Sequence, residues 1–337
     1  MPIGSRIFIA VLIGALGGIV NSAGVGDGSL SAPQAQTFTL TQTRLRDPFI
    51  LPDVESGTYY LLTSIMHPPG SNRHGVSVLT SKDLQTWQGP YPIFEIEPDF
   101  WAQGSVWAPE MHRYQGRYYL FATMNGREKL PDEPWPDWPD KTKRGTQVLV
   151  AETPLGPFKP FRNRAQTDPN LMTLDGTLWV EDGVPYMVYC HEWVQIKDGT
   201  IDLIHLKNDL SDVEGGPITL LRASDAPWTP PDKDHYVTDG PCLYRTETDT
   251  LMMIWSSFTA TGYTTGIAIS QSGRVHGPWR HQREPLFTAD GGHGCIFRTF
   301  EGTLMLTLHS PNRSGRERAL LFELEDTGAT IRIKKKW

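Results

Sequence analysis

The sequence has little of what would mark a zinc-clustered, nucleic-acid-binding or helical protein. Cysteine occurs three times in 337 residues, as Cys190, Cys242 and Cys295. An odd number leaves at least one thiol unpaired, and none has the close spacing of a zinc site. Each follows or opens an apolar strand-like run, so buried free thiols are expected. Acidic residues outnumber basic ones, for a formal net charge of −7, and the only basic run is Lys334, Lys335 and Lys336 at the C-terminal end. A nucleic-acid partner is therefore not expected, since phosphate backbones need clustered Lys and Arg. Heptads and long amphipathic helical patterns are absent.

What is present is an ordinary globular balance, 39% apolar and 20% charged, with eleven Trp and eleven Tyr. Aromatic rings fill sheet cores, and they also make the stacking floors that sugar rings prefer. At the N-terminus, Arg6 precedes an apolar run from Ile7 to Val20, followed by the small residues Asn21, Ser22, Ala23 and Gly24. This pattern predicts a secretory signal over residues 1–23 and a secreted or periplasmic protein. The run is too short to span a bilayer comfortably, so no membrane span is expected after cleavage. Residues 24–36, rich in Gly, Ser, Ala and Gln, read as a flexible leader, and residues 37–337 as the folded domain.

Self-similarity is the strongest signal. A turn followed by a short aromatic or aliphatic run recurs at Gly57-Thr-Tyr-Tyr-Leu-Leu, Gly116-Arg-Tyr-Tyr-Leu-Phe, Gly183-Val-Pro-Tyr-Met-Val, Thr250-Leu-Met-Met-Ile-Trp and Gly302-Thr-Leu-Met-Leu-Thr. Each copy is preceded by a strand that opens on a polar or tight-turn signature, at Asp47-Pro48, Ala108-Pro109-Glu110, Asp175-Gly176, Asp239-Gly240-Pro241 and His293-Gly294. Each is followed by a third strand of alternating pattern. Fourth, outer strands are signalled after Gly156-Pro157 and Gly277-Pro278. Units spaced roughly 50 to 70 residues apart predict an all-β, five-bladed β-propeller, because a blade must pack against neighbours on both faces.

In a propeller the first strand of each blade lines the axis, which brings Asp47, Glu110, Asp175, Asp239 and His293 toward one channel. Clustered carboxyls repel one another and lose solvation, so such a ring persists where chemistry needs it. An Asp-Pro or Asp-Gly dipeptide taken alone is a turn signal. Recurrence at equivalent points of a repeat favours a site instead. Two opposed carboxyls are what glycosidic cleavage requires, one to protonate the leaving oxygen and one to activate water or attack the sugar.

In this order and spacing, Arg46-Asp47-Pro48, Trp107-Ala108-Pro109-Glu110, Leu174-Asp175-Gly176-Thr177, Thr238-Asp239-Gly240-Pro241 and Gly292-His293-Gly294 resemble glycoside hydrolase family 43, from about Arg46 to His309. The resemblance implies an inverting hydrolase with Asp47 as the base that activates water and Asp175 as the residue tuning the acid. The family's general acid is the Glu of a Glu-Gly-Pro motif, and here that place reads Asp239-Gly240-Pro241. Aspartate is one methylene shorter, a loss of reach of about 1.5 Å. Either Asp239 still donates the proton, or Glu192 in Cys190-His191-Glu192-Trp193 takes over. The resemblance also implies that His293 sits on the axis, beside a structural calcium or sodium ion held mostly by water, and no cofactor is required.

Phe49, Trp101, Trp107 and Trp193 are candidate stacking residues. Glu110, His191, His293 and Arg298 are candidate rim or substrate contacts. The Pro- and Trp-rich stretch 131–140 is expected to loop over the channel mouth. These observations lead to an oligo- or polysaccharide substrate and an α-L-arabinofuranosidase acting at a non-reducing end. A β-xylosidase, a β-D-galactofuranosidase or galactosidase, and a glycan-binding propeller without catalysis are the alternatives.

Overall fold

A computed structural model of the chain describes residues 36–337, apart from 65, 67–69, 71 and 132–134. The expected signal, and the leader up to residue 35, lie outside the described residues. The rest forms five antiparallel sheets arranged as a five-bladed β-propeller.

Blade one holds β1 (Gln36–Phe38), β2 (Phe49–Asp53), β3 (Thr58–Leu62), β4 (Gly75–Ser81) and β5 (Trp87–Glu95), with β1 paired to the outer edge of β5. Blade two is β6 (Val106–Tyr114), β7 (Arg117–Lys129), β8 (Thr142–Ala151) and β9 (Lys159–Pro160). Blade three is β10 (Thr173–Glu181), β11 (Val184–His191), β12 (Thr200–Leu206) and β13 (Val213–Arg222). Between β11 and β12 lies the four-residue helix α1 (Trp193–Ile196). Blade four is β14 (Asp239–Arg245), β15 (Leu251–Thr259), β16 (Gly262–Ser270) and β17 (Trp279–His281). Blade five is β18 (Gly292–Arg298), β19 (Leu304–Ser310), β20 (Arg318–Asp326) and β21 (Ile331–Lys336). The first strands β2, β6, β10, β14 and β18 touch one another in turn, and β18 returns to β2.

The continuous apolar runs of the second strands follow from burial on both faces. Side chains alternate across a strand, so Leu61 faces blade five while Leu62 faces blade two. In β15, Met253 and Trp255 pack toward blade three, and Met252 and Ile254 toward blade five. One apolar cluster thus fills each of the five interfaces between blades. All three cysteines are unpaired; Cys190 and Cys295 are buried and Cys242 is half-buried.

Four of those interfaces are also bridged by the chain itself. Among the described residues, blades five and one are not, because β21 ends within blade five and β1 pairs within blade one. Their seam is closed by side chains such as Ile50 against Phe297 and Leu321, and by Leu45 N–H donating to the Glu317 carbonyl at 3.1 Å. Arg44 adds an ion pair to Glu317 at 3.0 Å.

No helix among the described residues is long and apolar enough to cross a membrane.

Candidate active site

The same local irregularity marks the start of each blade. Asp47, Ala108, Asp175, Gly240 and His293 all have left-handed φ angles, between 39° and 55°. In four blades a register shift accompanies that residue, at Trp107/Glu110, Leu174/Thr177, Asp239/Cys242 and Gly292/Cys295. A left-handed residue costs about 1–3 kcal/mol when it is not glycine. Four of five blades carry that cost, and three of the four side chains involved are titratable.

This register corrects the sequence-based equivalence of the five polar residues. Asp47, Asp175 and His293 share the left-handed position. Asp239 stands one residue before it, level with Trp107, and Glu110 two residues after Ala108. The extra residue of a bulge shifts which side chain meets the axis, and a repeat read by eye does not resolve that shift.

Gly240 has no freedom to be anything larger. At its φ of 52°, an added Cβ would lie 2.5 Å from Cδ2 of the His293 ring. We expect Gly240→Ala to destabilise the fold by about 1–3 kcal/mol beyond the cost at an unhindered left-handed glycine. Gly183→Ala is the control, since nothing lies within 4 Å of the Cβ it would add. Denaturant unfolding of the two variants measures the difference.

At the axis the blades enclose a cavity of about 260 Å³ lined by Arg46, Asp47, Ser64, Trp107, Leu174, Asp175, Glu192, Asp239 and His293. It falls just below the roughly 300–1,000 Å³ typical of small-molecule sites, a size suited to one sugar unit.

Asp47 is held as an anion. Burial pushes its carboxyl upward, but His293, Arg46 and the Ser64 hydroxyl outweigh burial and hold it well below the usual range. Ser64 Oγ donates to Asp47 Oδ2 at 2.6 Å, and Arg46 Nε lies 3.5 Å from the same oxygen. The other oxygen, Oδ1, is buried without a hydrogen-bond partner, 3.3 Å from Nδ1 of both His293 and His309. The Asp47 backbone N–H donates to His309 Nδ1 at 3.2 Å. The His309 proton therefore sits on Nε2, where Asn312 Oδ1 accepts at 3.2 Å. Burial lowers His309 to about 4, so it is neutral and positions the backbone of Asp47 rather than pairing with its charge.

The remaining carboxyls are shifted the opposite way. Burial and then the charge of Asp47 push Asp175 well above its ordinary value. Its Oδ2 accepts the Gly240 N–H at 3.0 Å, which ties blade three to blade four beside the next acid. Burial and then Asp175 raise Asp239 to about 7. Tyr263 donates to Asp239 Oδ2 at 2.8 Å, so Oδ1 is the oxygen left to carry a proton. Glu192 is raised by burial, and Arg144 opposes that shift. The Arg144 Nη1 group bonds Glu192 Oε2, its Nε donates to Asn125 Oδ1 at 2.6 Å, and the guanidinium lies 4.2 Å from the centre of the Trp107 ring.

Of the residues expected from the sequence, Asp47, Trp107, Asp175, Glu192, Asp239 and His293 meet in this cavity. Phe49 and Glu110 lie beside a narrower axial space of about 10 Å³, which Asp47 and His293 also line. Glu110 bonds His112 Nε2 at 2.9 Å. His191 bonds Gln195 at 2.9 Å, and Trp193 stacks on His235 at 4.1 Å; neither lines the cavity. Arg298 does not line the cavity either. It ends β18, five residues from His293 and hence about 16 Å along the strand, where it bonds Tyr244 at 2.9 Å. Trp101 lines a neighbouring cavity instead. No described residue of the 131–140 loop lines the cavity, but Trp138 packs beside it, on Trp193 at 5.4 Å and donating to the Val194 carbonyl at 2.9 Å, just after Glu192.

Ser64, Tyr263, His309 and Arg144 were not singled out by the sequence, and Arg46 entered only as part of the Arg46-Asp47-Pro48 motif. Among the described residues no three His, Cys, Asp or Glu side chains form a group able to hold a metal ion. His293 presents Nδ1 to Asp47 at 3.3 Å and to Asp175 at 3.7 Å. The described side chains thus supply no such ligand group by themselves.

The family model described as "Glycosyl hydrolases family 43" matches residues 39–328. No curated protein matches the chain. Among solved structures, an endo-arabinase from Bacteroides thetaiotaomicron is 39% identical, with a TM-score of 0.75, covering 85% of this chain and 96% of that one. An endo-1,4-beta-xylanase from the same organism is 19% identical (TM-score 0.69), covering 89% of this chain and 97% of its own. An alpha-L-arabinofuranosidase from Lactobacillus brevis is 18% identical (TM-score 0.67), covering 83% and 90%. The last two share the fold.

Proposed function

Because the chain belongs to glycosyl hydrolases family 43 and is a glycoside hydrolase, we propose that it cleaves α-L-arabinofuranosyl bonds with inversion of the anomeric centre. The observation that carries this reading is one cavity holding an ionised Asp47 beside an Asp239 raised to about 7. Inversion needs that pair: a carboxylate to take a proton from water on one face of the sugar, and a carboxylic acid to protonate the leaving oxygen on the other.

The Asp47 carboxylate takes the proton from water as the water attacks. Asp239 Oδ1 gives its proton to the departing oxygen. Asp175 keeps that proton on Asp239 by its proximity. Glu192 is the weaker candidate for the acid, since Arg144 favours its charged form. Arabinose is favoured over xylose and galactose by the 39% identity to a protein named an endo-arabinase.

Release of single units from a chain end is the sequence-based expectation, and that relative's name favours internal cleavage as a second reading. The substrate is extracellular plant polysaccharide, in keeping with the apolar run Ile7 to Val20. Incubation with linear arabinan and with nitrophenyl arabinofuranoside, xyloside and galactofuranoside tests the proposal. Arabinose alone marks terminal action, and mixed oligosaccharides mark internal action. Proton NMR of the first-formed product is expected to show the inverted anomer; release from the xyloside alone would replace arabinose in the assignment.

A further inference from the structure

A second cavity of about 260 Å³ lies next to the first, with Trp101, Lys143, Arg144, Asn163 and Arg164 among its walls. Its residues come from the segment entering β6, the end of β7, the start of β8 and the segment entering β10. Those ends of β6 and β10 carry Trp107 and Asp175, so both cavities open on one face of the ring. Arg144 joins them. It lines the second cavity, while its guanidinium bonds Glu192 and covers Trp107 in the wall of the first.

Trp101 is the feature that a merely solvated hollow would not need. Its backbone N–H donates to Asn163 Oδ1 at 2.8 Å, and its indole Nε1 donates to Gln147 Oε1 at 2.7 Å. Gln147 is itself buried and fixed by donation to the Arg162 carbonyl at 2.8 Å. The ring is locked before any ligand arrives, yet it remains half-buried on the cavity wall. A flat apolar surface held this way pays no ordering entropy on binding.

The polar wall complements it. Arg164 reaches Asp212 at 3.5 Å, while Arg162 holds the same carboxylate at 2.5 Å. Arg164 is therefore loosely held and suited to donate to sugar hydroxyls, whereas Lys143 is paired with Glu128 at 2.7 Å.

We propose that the second cavity binds another arabinofuranosyl unit of the same chain whose bond is cleaved at the axis, with Trp101 as its stacking floor. This rests on the hydrolytic reading of the axial cavity. Binding energy gained there is available to the reaction only for substrates long enough to reach it.

The test compares arabino-oligosaccharides of two to six units with nitrophenyl arabinofuranoside, which carries a single arabinofuranosyl unit. In the wild type, kcat/KM is expected to rise with chain length. Trp101→Ala should lower kcat/KM on arabinohexaose by about tenfold and leave the nitrophenyl substrate unchanged. Trp101→Phe, which keeps a flat ring, should recover most of the loss. An equal loss on both substrates, or none on either, overturns the proposal. If the wild type hydrolyses none of these compounds, the function proposed above fails by itself. Calorimetric titration of arabinohexaose into wild type and Trp101→Ala then decides the second cavity: about tenfold weaker binding to the variant supports it, and equal or absent binding overturns it.

Discussion

Asp47→Asn is expected to reduce kcat on arabinan by about 10²–10⁴-fold with the fold intact, the loss that follows removal of a general base. The amide keeps the size of the side chain and can still accept the hydrogen bond from Ser64, 2.6 Å away in the native site. What it lacks is an anion to take the proton of water. KM should change little, because the same volume faces the sugar. Circular dichroism and unfolding curves should show a folded propeller. Activity like that of the wild type would remove Asp47 from the mechanism.

Asp239→Ala should cost a similar factor, about 10²–10⁴, on arabinan and much less on nitrophenyl arabinofuranoside, whose leaving group departs without a proton. The pH profile carries the sharper test. Asp239, raised to about 7, holds its proton below that pH and loses it above, so kcat/KM of the wild type should fall as pH rises through about 7. Asp47, held below the usual carboxylate range, stays ionised across neutral and mildly acidic pH and adds no acidic limb there. The alkaline limb belongs to the Asp175–Asp239 pair, since each carboxyl is raised in part by its acidic neighbours. Replacing Asp239 should abolish the limb together with most of the rate, whereas Glu192→Gln should leave it in place. A limb that disappears with Glu192 and survives without Asp239 would move the proton donor to Glu192.

How far the sequence could be read follows from where each signal lies. The second strands of all five blades announce themselves because both faces are buried, which forces uninterrupted apolar runs such as those in β3 and β15. Outer strands are harder. β9 and β17 follow Gly-Pro turns and were anticipated, while β13, exposed along most of its length, has no apolar pattern to find. The acids Asp47, Asp175 and Asp239 were legible because each opens a strand in a tight turn. Their supports were not. His309 meets Asp47 across 262 residues of chain, and Arg144 meets Glu192 across 48. Neither stands in a local motif, so only the closed ring brings them together. Arg298 misled for a related reason: it is on the right strand but at the wrong end, and composition carries no record of strand direction.

Among the described residues no peptide crosses the seam between the first and last blades, and Asp47, the proposed base, sits on that joint. Asp47 belongs to one side, and His309, which fixes its backbone, to the other. Arg46 likewise reaches over to Asn312 at 2.7 Å. Parting these two blades would dismantle the base's surroundings while four interfaces stayed tethered. Turnover in this enzyme is thus a gauge of whether the circle is shut, and heat or truncation should silence it before the blades themselves come undone.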